Sequence, residues 1–466
     1  MREAEASVAL VAVLWLLVCA APALGLSARG PLRVHEKNPR YFDDGTGRAV
    51  YLTGSHTWAN FQERAYPETP QFDFEGYLDF LEEHNHNFIR LWTWEHAAWM
   101  QFTERKIVYY PNRYARTGPG MALDGLPRFD LTKFNGQHFA RLRRRVAAAA
   151  ERGIYVSIML FQGFSIEQKG TRGVDPRRGN PWDGHPFNKA NNINGIDGDA
   201  NANGEGEETH TLALPAITRL QEEYVKKVID TVNHLDNVLY EISNESHAQS
   251  VAWQYRMIEF IQRYEAQKPK QHPVGMTMCT RGNNEQLFAS PAEWISPGSW
   301  GGYRDDPPPA DGRKVILSDT DHLWGIGGNY AWVWKSFLRG LNPIFMDPYR
   351  DARLGGKYDT RWDLLRKNLG YARSYAERID LASALPHGEL CSSGYCLANP
   401  GREYVAYFPT GEGTVDLTAA KGELACEWFS PRTGKKTPAG RVKGGMKQRF
   451  RAPFAGDAVL YLAAAA

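Results

Sequence analysis

Short apolar runs recur along most of this chain, and nearly every one ends abruptly on polar or aromatic residues. The runs are Ala49–Gly54, Phe88–Trp92, Ile154–Leu160, Val238–Ile242, Val274–Met278, Trp294–Ser296, Val315–Leu317 and Pro343–Met346. They are continuous rather than alternating, as expected of strands buried on both faces. Most are separated by segments of helical period. Phe74–Glu83 carries Tyr77, Leu78 and Leu81 on one face, and Asn135–Arg152 carries Phe139, Leu142 and Val146. Leu214–Val232, Val251–Tyr264 and Arg361–Ile379 repeat the pattern.

This alternation predicts an α/β fold, a (β/α)8 TIM barrel over residues 31–380, entered through a short hairpin at Arg33–Asp44 that turns at Asp43-Asp44-Gly45. A doubly wound sheet is the alternative, but no G-x-G-x-x-G follows the first strand. From about Leu385 the helical period vanishes and turn residues recur between short runs such as Tyr404–Phe408 and Cys426–Phe429. Residues 385–466 therefore read as a small antiparallel β-sandwich.

At 466 residues the chain exceeds one hydrophobic core. Its net charge of +2 gives no case for a nucleic-acid partner. The 14 tryptophans offer flat apolar faces with a polar edge, which suit sugar rings or peptide surfaces. Val8–Leu17 is apolar and Ala20–Gly25 is rich in small residues, so residues 1–25 read as a signal peptide cleaved after Gly25. The expectation is a secreted or periplasmic protein with no membrane span after cleavage, an uncleaved anchor being the alternative. In that compartment Cys391 and Cys396 are close enough in sequence to pair. No cysteine pattern forms a zinc site, and neither a metal nor a cofactor is expected. The loop Asp197–Glu208 places Asp199, Asn201 and Asn203 before Gly204, a partial calcium-loop pattern. His210 stands where that loop needs glutamate, and no helix precedes it, so a solvated acidic loop is the leading reading. The basic run Arg141–Arg145 reads as the solvent face of its helix.

In a parallel barrel the strand ends face one mouth. The groups collected there are His56, Trp58, Arg90, Trp92, Trp94, Gln162, Asn244, Glu245, Trp300, Asp319, Asp321, His322, Trp324 and Asp347. Paired carboxyls among tryptophans suggest glycoside hydrolysis, in which one carboxyl stays protonated while the other is ionised. Asn244 would bond a sugar hydroxyl, and Arg90 would hold a carboxylate ionised.

The segment Tyr240-Glu-Ile-Ser-Asn244-Glu245 resembles the strand-four Asn-Glu signature of the large clan of barrel glycoside hydrolases that includes cellulases, mannanases and β-galactosidases. More closely, Tyr51–Trp58, Phe88–Trp92 and Asn342–Tyr349 resemble apiosidase-like barrels of the DUF4038 type, and Trp428–Gly434 resembles their tail domain, which is labelled collagen-binding. The resemblance implies a carbohydrate substrate, Glu245 as acid/base and a strand-seven carboxylate as nucleophile. That clan usually places glutamate after strand seven. Here Ser318-Asp319-Thr320-Asp321-His322 offers Asp319 or Asp321, each one methylene shorter. The alternative is a degenerate barrel that binds carbohydrate or matrix protein through its mouth and tail.

Overall fold

The computed structural model describes residues 27–66, 68–99, 106–167 and 179–464. The expected signal peptide lies outside them. Eight parallel strands follow one another around a barrel: β1 (Gly54–His56), β2 (Phe88–Leu91), β3 (Tyr155–Gln162), β4 (Val238–Asn244), β5 (Val274–Thr277), β6 (Trp294–Ser296), β7 (Val315–Asp319) and β8 (Asn342–Met346). From β2 to β8 each strand pairs with the next, and β8 pairs with β1.

The seam between β1 and β2 is closed differently. Asn87 N–H donates to the Thr53 carbonyl at 2.9 Å, while the Asn87 side chain accepts from Thr53 N–H and donates to the Tyr51 carbonyl. Farther up, Asn60 donates to the Arg90 carbonyl and accepts from Trp92 N–H. Two asparagine side chains thus replace a ladder. The strands approach so closely that a Cβ on Gly54 would lie 2.2 Å from the Phe88 carbonyl oxygen.

Helices α1 (Phe74–Glu83), α2 (Gly136–Glu151), α3 (Pro215–Val232), α4 (Val251–Glu265), α5 (Tyr330–Leu338) and α6 (Asp363–Ala376) surround the barrel. Their apolar stripes bury against outward residues such as Ile89, Leu91, Ile158, Ile242 and Ile295. Inside, Phe88, Leu239, Trp294, Leu317 and Ile344 form an apolar floor closed from below by Leu32 and Phe42. Phe42 belongs to a three-stranded N-terminal sheet and Leu32 immediately precedes its first strand, so the expected hairpin is larger than its sequence suggested. Ala49–Val50 completes that sheet instead of opening the barrel, and the Asp43–Arg48 turn joins its second and third strands. The reason is alternation of partners: Val50 pairs with Phe42, and only after Thr53 does the chain reach β8.

Two expectations about side chains are corrected. Arg145 does not face solvent; it turns in and donates to the carbonyls of Asn60 and Phe61 at 2.6 and 3.0 Å. Cys391 and Cys396 are both free thiols, and the Cys391 sulfur meets the Ser393 hydroxyl at 3.1 Å. In the acidic loop, Asp199 accepts from the backbone N–H groups of Asn203 and Gly204, while the Asn201 and Asn203 side chains both bond Glu207. The loop folds on its own donors.

The C-terminal part is an antiparallel sheet of six strands, β9 (Leu385–Pro386), β10 (Cys396–Asn399), β11 (Glu403–Phe408), β13 (Glu423–Phe429), β14 (Lys436–Lys443) and β16 (Ala458–Ala464). A two-stranded ribbon, β12 (Glu412–Asp416) with β15 (Lys447–Arg451), covers one face. The other face packs on α5 and α6, where the Phe429 ring sits 5.1 Å from Tyr371, 5.5 Å from Tyr375 and 5.6 Å from Trp334. Barrel and tail therefore share one apolar core. Phe429→Ala is expected to cost about 3–5 kcal/mol and to lower a single shared melting transition, as read by calorimetry; an unchanged barrel transition beside a separate tail transition would contradict the shared core.

Candidate functional site

The site begins with a charge inside the barrel. Arg90, inward on β2, is 1% exposed, and its neighbours use every donor a guanidinium has. Nε and Nη2 donate to the two oxygens of Glu241 at 2.9 and 2.6 Å. Nη2 also donates to Asn244 Oδ1 at 2.6 Å, and Nη1 donates to Asp319 at 2.8 Å and Asp321 at 3.0 Å. One residue thereby ties β2 to β4 and to the end of β7. Glu241 was missed by sequence reasoning. Its signal was its place as the single charged residue among Val238, Leu239, Tyr240 and Ile242.

Asp319 is fully occupied. Beyond Arg90, it accepts from Asp321 N–H at 2.9 Å and from His56 Nε2 at 2.9 and 3.0 Å. Trp92 Nε1–H donates to His56 Nδ1 at 2.8 Å, so His56 carries its proton on Nε2 and gives it to Asp319. Burial pushes the Asp319 carboxyl up, but His56 and Arg90 outweigh it and hold the group below the ordinary carboxylate range. Asp319 is wholly buried and bonded on both oxygens. Of the two strand-seven candidates, Asp321 is the partly exposed one.

Asp321 has the opposite electrostatics. Burial first, and the charge of Glu245 second, push it well above the ordinary value, against the pull of Arg90. His322 is pushed down to about 3 by burial and by Arg90, so its imidazole is neutral near neutral pH. Its Nδ1 meets the Ser296 hydroxyl at 2.8 Å and its Nε2 meets Asn244 Oδ1 at 3.1 Å. Asn244 in turn donates to Gln162 Oε1 at 3.3 Å. The mouth therefore has two tiers. His56, Arg90, Gln162, Asn244, Asp319 and His322 form a buried hydrogen-bonded layer; Asp321 and Glu245 stand partly exposed above it.

Glu245 sits in the left-handed region at φ 49°. Such a conformation costs a non-glycine residue of order 1 kcal/mol and persists only where the surroundings fix it. Thr280 bonds the Glu245 carbonyl at 3.1 Å through its hydroxyl and the Ser246 carbonyl at 2.8 Å through its N–H. The Ser246 hydroxyl meets His210 Nδ1 at 2.9 Å, and His210 Nε2 meets Glu95 at 2.8 Å. Serine, histidine and carboxylate here have the order of a nucleophilic triad, but Ser246 is wholly buried and its oxygen also contacts Ser243, so the chain anchors the strand end instead. Neither His210 nor Glu95 was foreseen as part of the site, because 115 positions separate them in sequence.

Other expected residues stand elsewhere. Trp92 and Trp94 are 2% and 3% exposed, so they support His56 and Trp58 from below and present no open face. Trp94 Nε1–H donates to the Trp58 carbonyl, and Trp58 itself is half-buried, with the Arg64 guanidinium 4.5 Å from its ring. Asp347 is buried and bonded at 2.7 and 2.6 Å to Arg366 of α6; it fastens a helix to the barrel and is not a mouth residue. Trp324 packs edge-on against Trp332 of α5, and Trp300 lies in a cleft that contains no member of the Arg90 network. Among the described residues, no group of three or more histidine, cysteine, aspartate or glutamate side chains is arranged to hold a metal ion. Nor is any helix long and apolar enough there to cross a membrane.

This barrel with its attached sheet is the fold of several solved glycoside hydrolases. A family 5 glycoside hydrolase from Bacteroides vulgatus ATCC 8482 superposes with a TM-score of 0.63 at 12% identity, covering 93% of each chain. A second glycoside hydrolase gives 0.60 at 14% identity over 93% of this chain and 97% of the other. Residues 90–293 match the family model of a domain of unknown function, DUF6298, and residues 388–463 match one described as "Putative collagen-binding domain of a collagenase". The barrel match is thus to DUF6298 where the motifs suggested the DUF4038 type. No curated protein matches the chain.

The two aspartates give opposite signs on substitution. Asp319 is depressed when folded, so its contribution to stability is present above the unfolded pKa and is lost as pH falls through that region. Asp319→Asn is expected to cost about 3–5 kcal/mol near neutrality, where it strips one partner from a buried ion pair, and less in acid. Asp321 is raised, so its ionisation penalises the fold as pH rises. Asp321→Asn is expected to keep or raise the melting temperature at neutral pH. Thermal melts across the acid-to-neutral range check both, and equal losses in the two variants would refute the division of roles.

Proposed function

We propose that the protein is a glycoside hydrolase acting on an oligosaccharide or polysaccharide, with Asp321 and Glu245 as its reacting carboxyls. The carrying observation is the crowding of carboxyls at a buried cation: Arg90 bonds three carboxyl groups, Glu241, Asp319 and Asp321, and burial together with the Glu245 charge pushes Asp321 up. Such a pair keeps one proton where two isolated carboxyls would lose both, and the reaction needs one protonated and one ionised carboxyl at a single pH. The barrel's likeness to glycoside hydrolases supports the reading at the level of fold.

In the proposed retaining course, Glu245 gives the proton to the leaving oxygen while Asp321 attacks the anomeric carbon. The glycosidic C–O bond breaks as a glycosyl–Asp321 ester forms. Glu245 then takes a proton from water, and the water oxygen displaces Asp321. Arg90, 3.0 Å from Asp321, stabilises the carboxylate before attack and on release. Asn244, between Arg90 and His322, sets the register of the strand that presents Glu245. Burial and the Glu245 charge favour the protonated form of Asp321, so attack proceeds from the form in which Asp321 is ionised and Glu245 holds the proton. Residues 1–25 are proposed as an export signal, with action outside the cytoplasm.

A second reading, a barrel that binds without cutting, is favoured by the match of residues 388–463 to the collagen-binding description. Hydrolysis of a panel of aryl glycosides and polysaccharides separates the two. Glu245→Gln and Asp321→Asn are each expected to lower kcat by about 10²–10⁴-fold with unchanged circular dichroism. Wild-type kcat should fall in alkali as the pair loses its one proton and in acid as it gains a second. Full activity in Glu245→Gln would sink the assignment, and a wild type that binds a polysaccharide or collagen but cuts nothing would favour the second reading.

A further inference from the structure

Between β6 and β7 the outer layer is thin. The connection makes only a one-turn 3-10 helix, Trp300–Gly302, where α5, for example, fills the crossover from β7 to β8. The space left over is an open cleft of about 380 Å³ on the barrel flank, reaching from the rim at Trp300 to Ile316 of β7. That volume is in the range of small-molecule sites, roughly 300–1,000 Å³. None of its lining residues belongs to the Arg90 network.

The cleft is built around an aromatic side chain. Trp300 is 45% exposed, high for the largest apolar side chain in the protein. It is also held in place. Asn284 donates to the carbonyls of Trp300 and Gly298 at 2.8 and 3.3 Å and accepts from Gly298 N–H at 2.9 Å. The indole rests so close to Gly298 that a Cβ there would lie 2.7 Å from the ring. The chain beyond is tied down as well: Trp332 Nε1–H donates to the Tyr303 carbonyl, and Tyr395 of the tail donates to Asp306 at 2.9 Å. Also in the lining, Arg313 lies 4.3 Å from the centre of the Phe288 ring and bonds Asp311 through Nε at 2.6 Å.

A fixed, partly exposed indole in a cleft also lined by amide and charged side chains matches the two sides of a sugar ring, an apolar face of C–H groups and a rim of hydroxyls. Asp311 and Arg313 neutralise each other, and Glu285, also in the lining, adds negative charge, which disfavours an anionic sugar. We propose that this cleft is a second carbohydrate-binding site, separate from the Asp321–Glu245 pair, that holds an uncharged pyranose stretch of a polysaccharide. Its ligand class rests on the glycosidase reading, whereas its existence as a site rests on the cleft alone.

The test is affinity electrophoresis of the full chain in gels cast with soluble galactomannan, xyloglucan, arabinoxylan or polygalacturonate. Wild type should be retarded by at least one neutral polymer and not by polygalacturonate. Trp300→Ala should weaken that retardation about tenfold, equivalent to about 1.4 kcal/mol, while Trp300→Phe keeps most of it. The Glu245→Gln chain should be retarded as strongly as wild type at low polymer concentration. Equal retardation of Trp300→Ala and wild type, or no retardation in any neutral gel, would overturn the proposal. Retardation that depends on Trp300 in a protein that cuts no glycoside would leave the cleft standing and remove the hydrolase reading.

Discussion

Five N–H groups on one buried guanidinium hold the mouth of this barrel together. Arg90 bonds Glu241 in a fork, then Asn244, Asp319 and Asp321, so three strands converge on a single cation. An arginine is suited to this because its donors are fixed in a plane and its charge persists at any ordinary pH. A buried cation of this kind is tolerable only when its anions are in place. Burial, and after it the charge of Glu245 at the same rim, pushes Asp321 towards its protonated form.

The site's rigidity comes from the layers beneath and beside it. Leu32 and Phe42 close the floor, aromatic and aliphatic residues fill the barrel above them, and the polar tier begins only at Arg90 and Glu241. Trp92 fixes the tautomer of His56, which fixes Asp319, which receives the Asp321 N–H. On the opposite side, Glu95 and His210 reach the strand end through Ser246, next to the left-handed Glu245. Asp321 and Glu245 are thus each presented by a chain of buried hydrogen bonds, and buried polar chains of this kind hold a geometry only when every member finds a partner.

The outer layer is uneven, and its unevenness has consequences. Where helices α5 and α6 complete it, the tail sheet docks through Phe429 and the barrel gains a second apolar contact. Where no full helix crosses, between β6 and β7, a cleft opens beside Trp300. The suitability of tryptophan for sugar rings was legible from sequence, but which tryptophan is exposed, and where it stands relative to the carboxyls, was not.

The sequence alone determined the eight strands, most of the helices and the turn-rich tail, because burial on both faces writes continuous apolar runs and helices write a 3.6-residue period. It also placed Arg90, Asn244, Glu245, Asp319 and Asp321 at strand ends, since a barrel has one mouth. It misplaced Ala49–Val50, whose apolar character suits an N-terminal sheet as well as a barrel. It left open a Cys391–Cys396 bridge that the fold does not make. Only the tertiary structure distinguishes the surroundings of Asp319 from those of Asp321. Their two-residue spacing says nothing of which carboxyl is saturated by His56 and Arg90 and which is left partly exposed near Glu245. Glu241, Glu95 and His210 became site residues only through packing, because hydrogen bonds between strands and loops far apart in the chain leave no local pattern to read.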